Sequence, residues 1–101
     1  MRILALEQTV PGIMGEQFTP FLKDEAKRVW ELNQQGIIRD IWFRADRRDA
    51  IVMLECHDVK EAQEYLATLP LVENGLIRFE VIPLAPYTGY ARLFNDPAIK
   101  P

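Results

Sequence analysis

The sequence predicts one α+β domain in the order strand, helix, strand, strand, helix, strand. Three observations predict it: short apolar runs bounded by proline and glycine, two stretches with apolar residues at helical spacing, and a length of 101 residues that leaves room for one core. An apolar fraction of 49% and a charged fraction of 27% match packed globular chains and exclude disordered, collagen-like and disulfide-scaffold classes. So short a chain supports only a modest core, and a partner copy is expected.

Arg2 to Thr9 reads as the first strand, stopped by Val10, Pro11 and Gly12. Past Gly15, Thr19 offers a hydroxyl cap and Pro20 the first helical position of a helix that Gly36 ends. Within it Phe18, Phe21, Leu22, Ala26, Val29 and Leu32 recur at helical spacing, opposite Lys23, Asp24, Lys27, Glu31 and Gln34. Ile37 to Ala45 reads as the second strand, Asp46 to Asp49 as a charged, solvated turn, and Ala50 to Cys56 as the third strand. Four successive apolar residues, Ile51 to Leu54, place that strand in the sheet centre. Asp58 and Glu61 have capping-box spacing before a second helix whose stripe is Val59, Ala62, Leu66 and Leu69, with Pro70 and Gly75 marking its exit. Leu76 to Leu84 completes the set as the fourth strand.

This order is the ferredoxin-like βαββαβ arrangement, a four-stranded antiparallel sheet with two helices on one face. Ile3, Ala5, Ile38, Trp42, Ile77 and Phe79 exceed what two short helices can cover. A second sheet about 10 Å away is therefore expected on the other face, which makes a dimeric α+β barrel. Residues 1–101 form one domain, with a core over 1–85 and an extension over 86–101. Tyr87, Tyr90 and Phe94 crowd that extension with aromatic rings, so it is expected to pack on its own subunit or a partner's, with Asn95 to Pro101 loose.

Twelve basic residues against fifteen acidic give a net charge of -3, the wrong sign for gripping a phosphate backbone. One cysteine, Cys56, and one histidine, His57, argue against an internal disulfide and a Cys/His metal site. Cys56 reads as a core thiol and His57 as a surface or capping residue. A carboxylate at Glu7 interrupts any signal-peptide core, and no apolar run reaches membrane-spanning length, so a cytoplasmic protein without membrane or nucleic-acid partners is expected. Neither a nucleophile triad, a phosphate loop nor a dinucleotide fingerprint is present, so any chemistry is expected to need no cofactor.

Glu25 breaks its local pattern, because at about 100° per residue it falls inside the apolar stripe of the first helix. A carboxylate turned inward must be ion-paired, hydrogen-bonded, raised in pKa or open to a cavity. Two readings stand: a structural pair with an arginine of the sheet, or a proton-transfer group facing a pocket. The second strand carries Arg39, Asp40 and Arg44 among apolar residues, with Asp40 and Arg44 flanking Trp42 on one face. Such arginines either grip a substrate carboxylate or guard a sheet edge.

The segment Leu22, Lys23, Asp24, Glu25 running to Gly36, then Arg39 and Trp42, and later Leu66, Ala67, Thr68, Leu69, Pro70, Leu71, resembles the small bacterial muconolactone isomerases. The resemblance covers residues 1–85 in element order. It implies a dimeric barrel, often assembled into rings, and a cofactor-free double-bond shift in a carboxylated lactone of aromatic catabolism. It further implies that Glu25 shuttles the proton, Arg39 or Arg44 holds the carboxylate, and Trp42 shapes the pocket. The Arg47, Arg48 turn and the aromatic extension depart from that family. Two other classes stay open: a dimeric barrel that binds a small acidic or aromatic molecule without turnover, and a cofactor-free monooxygenase or cyclase of the same barrel type.

Overall fold

Period-two alternation turns Ile3 and Ala5 to one side and Leu4 and Leu6 to the other, and this run is strand β1 (Arg2–Thr9) of the computed structural model, which describes residues 1–94. Two 3-10 turns, Gly15–Gln17 and Thr19–Phe21, lead into helix α1 (Leu22–Gln34). Strands β2 (Ile38–Phe43) and β3 (Ala50–Glu55) form a hairpin, followed by α2 (Val59–Leu66), the short α3 (Pro70–Glu73) and β4 (Ile77–Pro83). The strands lie in the order β2-β3-β1-β4, every neighbouring pair antiparallel. This is the ferredoxin-like α+β arrangement, and β3 is an inner strand as its apolar run requires.

Local chemistry accounts for the element ends. Thr19 makes no cap hydrogen bond among the described residues; Phe21 N–H donates to the Phe18 carbonyl at 2.9 Å, and this tight turn delays α1 to Leu22. At the far end Gly36, with φ +76°, lets its own N–H reach Asn33 and that of Ile37 reach Leu32, a Schellman closure. The Asp58 carboxylate accepts from Glu61 N–H at 2.8 Å, the expected cap of α2. Where the sequence suggested only an exit after Leu69, Pro70 opens α3 instead, because a proline at the first helical position needs no N–H partner.

The core lies between the sheet and the helices. Ile3, Ala5, Ile38, Val52 and Leu54 pack against Leu32, Ala62, Leu66 and Leu69, all buried, and a second cluster of Leu71, Leu76 and Ile77 receives Ile13, Phe18 and Phe21. The expected division of the sheet residues needs one correction. Ile3, Ala5, Ile38, Ile77 and Phe79 all fit on the helix side, where α3 and the 3-10 turns add cover that two helices alone would lack. Trp42 is on the open face, where the register aligns it with Ile51, Leu6 with Ile51, and Leu4 with Met53 and Ile82.

Beyond β4 the chain stays exposed from Leu84 to Phe94 except at Gly89. Tyr87 and Tyr90 meet edge to face at 5.1 Å, yet each is at least 70% exposed. The expectation for Asn95 to Pro101 falls outside the described residues.

Leu54 is fully buried and faces Ile3 and Ile38 across the sheet. Leu54→Ala should cost about 2–5 kcal/mol, since the surrounding strands cannot collapse into the void. Urea unfolding measures it, and a loss below about 1 kcal/mol would contradict this packing.

Candidate functional site

Helical spacing puts Phe21, Glu25, Val29 and Leu32 on the same side of α1, toward the sheet. Glu25 is half-buried, whereas Leu22 is 50% exposed and Ala26 lies on the outside, so the inward stripe is centred nearer the glutamate than the sequence suggested. Its Oε1 accepts the Leu71 N–H at 2.9 Å. That amide belongs to the first turn of α3 and has no carbonyl of its own helix to bond. Among the described residues no arginine or lysine pairs with Glu25, so a backbone amide takes the place of the expected ion pair. Burial pushes the Glu25 carboxyl above the ordinary glutamate value, the amide opposes this, and the charge of Glu7 adds to the rise.

Glu7 is the residue that sequence reasoning missed. It continues the parity of Ile3 and Ala5 along β1 and so faces the helices; carrying that alternation two residues further would have found it. Its Oε1 accepts the Ala50 N–H at 3.0 Å. Burial raises its pKa too, against the amide and with the help of Asp49.

Two clefts open at this end of the sheet. One, of about 240 Å³, is walled by Ile13, Phe18, Leu76 and Ile77 on the helix side and carries Glu7 and Arg48 at its polar end. The other, of about 230 Å³, lies on the open face between Leu6, Ile51, Arg44, Arg47 and Glu80. Glu7 and Asp49 reach both, and Glu25 lines neither.

A single chain does not gather the other expected site residues around Glu25. Arg39 sits at the irregularity between Ile38 and Asp40, and its Nε donates to the Gly36 carbonyl at 2.6 Å. Trp42, 51% exposed, is on the opposite side of the sheet from α1. Arg44 forks onto Asp46 at 2.9 and 2.6 Å and holds that carboxyl below the usual range. Cys56 is buried, which pushes its thiol up, and His57 is exposed. No cluster of three metal-ligating side chains occurs among the described residues, and no described helix is long and apolar enough to cross a membrane.

Fold and site together define a ferredoxin-like α+β protein with a desolvated carboxyl held between α1 and α3. The chain belongs to the muconolactone delta-isomerase family, whose pattern matches residues 6–89. Its fold is similar to that of a muconolactone isomerase crystal structure, at TM-score 0.71 and 20% identity over 87% of this chain and 92% of that one. It is also similar to a 5-chloro-2-hydroxyhydroquinone dehydrochlorinase of Burkholderia phenoliruptrix AC1100 in complex with 2,5-dihydroxybenzoquinone, at TM-score 0.60 and 14% identity over 88% of this chain and 98% of that one. No curated protein matches the sequence.

A carboxyl that holds its proton more tightly folded than unfolded contributes stability that is complete below the unfolded pKa and is lost as pH rises through the folded one. Glu25 therefore contributes a decline in stability from about pH 4.3 upward. Glu25→Gln removes that decline while keeping an acceptor for Leu71, so the variant should gain stability relative to the parent as pH rises from 4 to neutrality. Urea unfolding at several pH values checks this; a difference that is flat or shrinks with pH would contradict it.

Proposed function

We propose that the protein is a muconolactone isomerase-like enzyme, moving a carbon-carbon double bond in a small carboxylated lactone or related intermediate of aromatic catabolism, with Glu25 as the proton shuttle. The observation that carries this reading is the half-buried Glu25 carboxyl, anchored through Oε1 and with no hydrogen bond to Oε2 among the described residues. The anchor fixes the group, and desolvation makes it a stronger base than an exposed glutamate. Such a base removes a proton from the carbon that the lactone carbonyl acidifies, and the electron pair enters the conjugated system. Returning the same proton at the far end completes the shift without a net change in atoms or electrons. Family membership over residues 6–89 supports the assignment.

The open sheet face supports a homodimer. Leu4, Leu6, Ile51, Met53 and Ile82 are only half-buried there, beside the exposed Trp42. A second sheet stacked on them would close a barrel, bring Trp42 and Arg44 into its interior, and offer cover to the Tyr87 to Phe94 extension. Trp42 and Arg44 would then line that interior across the sheet from Glu25, so a carboxylate held on the Glu25 side needs another cation than the Arg39 or Arg44 that the family resemblance implies.

One observation favours a second reading, a barrel that binds without turnover: Glu25 does not itself line either cleft of the single chain. Lactone isomerisation followed by absorbance separates the two. Wild-type turnover falling by about 10²- to 10⁴-fold in Glu25→Gln is the expected result, the range a positioned acid-base group supplies. Undiminished turnover in the variant would overturn the proton-shuttle role, and binding without turnover in the wild type would favour the carrier.

A further inference from the structure

We infer that Arg48 is the carboxylate-binding residue of the helix-side cleft, presenting its guanidinium to a small planar monocarboxylate while Phe43 supports it. Four arginines lie on or beside the β2–β3 hairpin, and three are committed. Arg39 donates to the Gly36 carbonyl, Arg44 forks onto Asp46, and Arg47 Nε lies 2.6 Å from Asp49 Oδ2. Arg48 has no carboxylate or carbonyl partner among the described residues. Its guanidinium carbon stands 4.9 Å from the centroid of the Phe43 ring, and among the described residues it is the one arginine that lines the helix-side cleft.

That placement suits an anion. An arginine over a ring gives its π-face to the aromatic and keeps its N–H edge available, and that edge matches the two oxygens of a carboxylate. The ring also limits side-chain freedom, so less ordering remains when a ligand arrives. Two acidic groups face the same space. Asp49 is offset by Arg47, and Glu7 spends one carboxyl oxygen on the Ala50 N–H while burial pushes its carboxyl above the ordinary glutamate value. The rest of the wall is Ile13, Phe18, Leu76 and Ile77. At about 240 Å³ the cleft falls below the roughly 300–1,000 Å³ typical of ligand pockets, which selects a single small ring bearing one acid group.

This inference deepens the isomerase reading by naming what holds the acid group, and its test needs no turnover. Benzoate and neutral benzamide, titrated by calorimetry into the full chain, serve as probes. Wild type should bind benzoate at least tenfold tighter than benzamide. Arg48→Met should weaken benzoate by about tenfold or more, the scale of a charge-assisted hydrogen bond, and leave benzamide within about twofold. Arg48→Lys, which keeps the charge and loses the fork, should fall between. The inference is overturned if Arg48→Met retains benzoate affinity, if Arg44→Met loses it while Arg48→Met does not, or if wild type shows no preference for the acid. Glu25→Gln separates the two proposals: lost turnover with benzoate affinity intact supports both, whereas retained turnover removes the isomerase reading and leaves the Arg48 result standing.

Discussion

A single hydrogen bond between residues 46 apart in sequence, from Leu71 N–H to Glu25 Oε1, ties α1 to the start of α3 and fixes where the carboxyl sits. Each partner supplies what the other lacks. The first amides of α3 have no carbonyl to bond within their own helix, and the carboxyl has lost water without gaining a cation. One amide is too little to offset desolvation, so burial remains the larger effect and the group holds its proton more firmly than an exposed glutamate. With Oε1 engaged, one carboxyl oxygen is held in place, and Oε2 is the one left for the proton transfer proposed.

The second consequence is coupling. Glu7 and Glu25 face the same layer from β1 and α1, each bonded to one backbone amide, and the Glu7 charge discourages ionisation of Glu25. Ionisation at this end of the sheet is also shaped by Asp49, which reaches both clefts and contacts Arg47. The β2–β3 turn is therefore more than a solvated connection: it sorts its arginines between internal partners and the cleft.

Much of this was legible in the sequence. β1 appears with the bounds that alternation gives, Asp58 caps α2, and the inward turn of Glu25 follows from angular arithmetic alone. What was not legible depends on contacts between distant segments. That α3 forms at Pro70, and so supplies the amide that Glu25 accepts from, needs the two halves brought together. Which of Arg47 and Arg48 meets Asp49, and which reaches Phe43, depends on turn geometry that composition does not encode. Which of the six apolar sheet residues would be left uncovered was not legible: plain alternation puts Ile38 and Trp42 on one face, and the irregularity after Ile38 separates them, leaving Trp42 on the open side. Glu7 hid in plain alternation, overlooked because an acidic residue near a strand end resembles a solvated one.

Burial, and not a cation, controls the Glu25 carboxyl. Carbon-13 NMR titration of the Glu25 carboxyl in the parent protein and in Glu7→Gln measures that directly. The expected result is a midpoint above the ordinary glutamate value of about 4.3 in the parent, moving down when the neighbouring charge is removed. A midpoint at or below that value would show a carboxylate stabilised as an anion, and the proton-transfer role would fall with it.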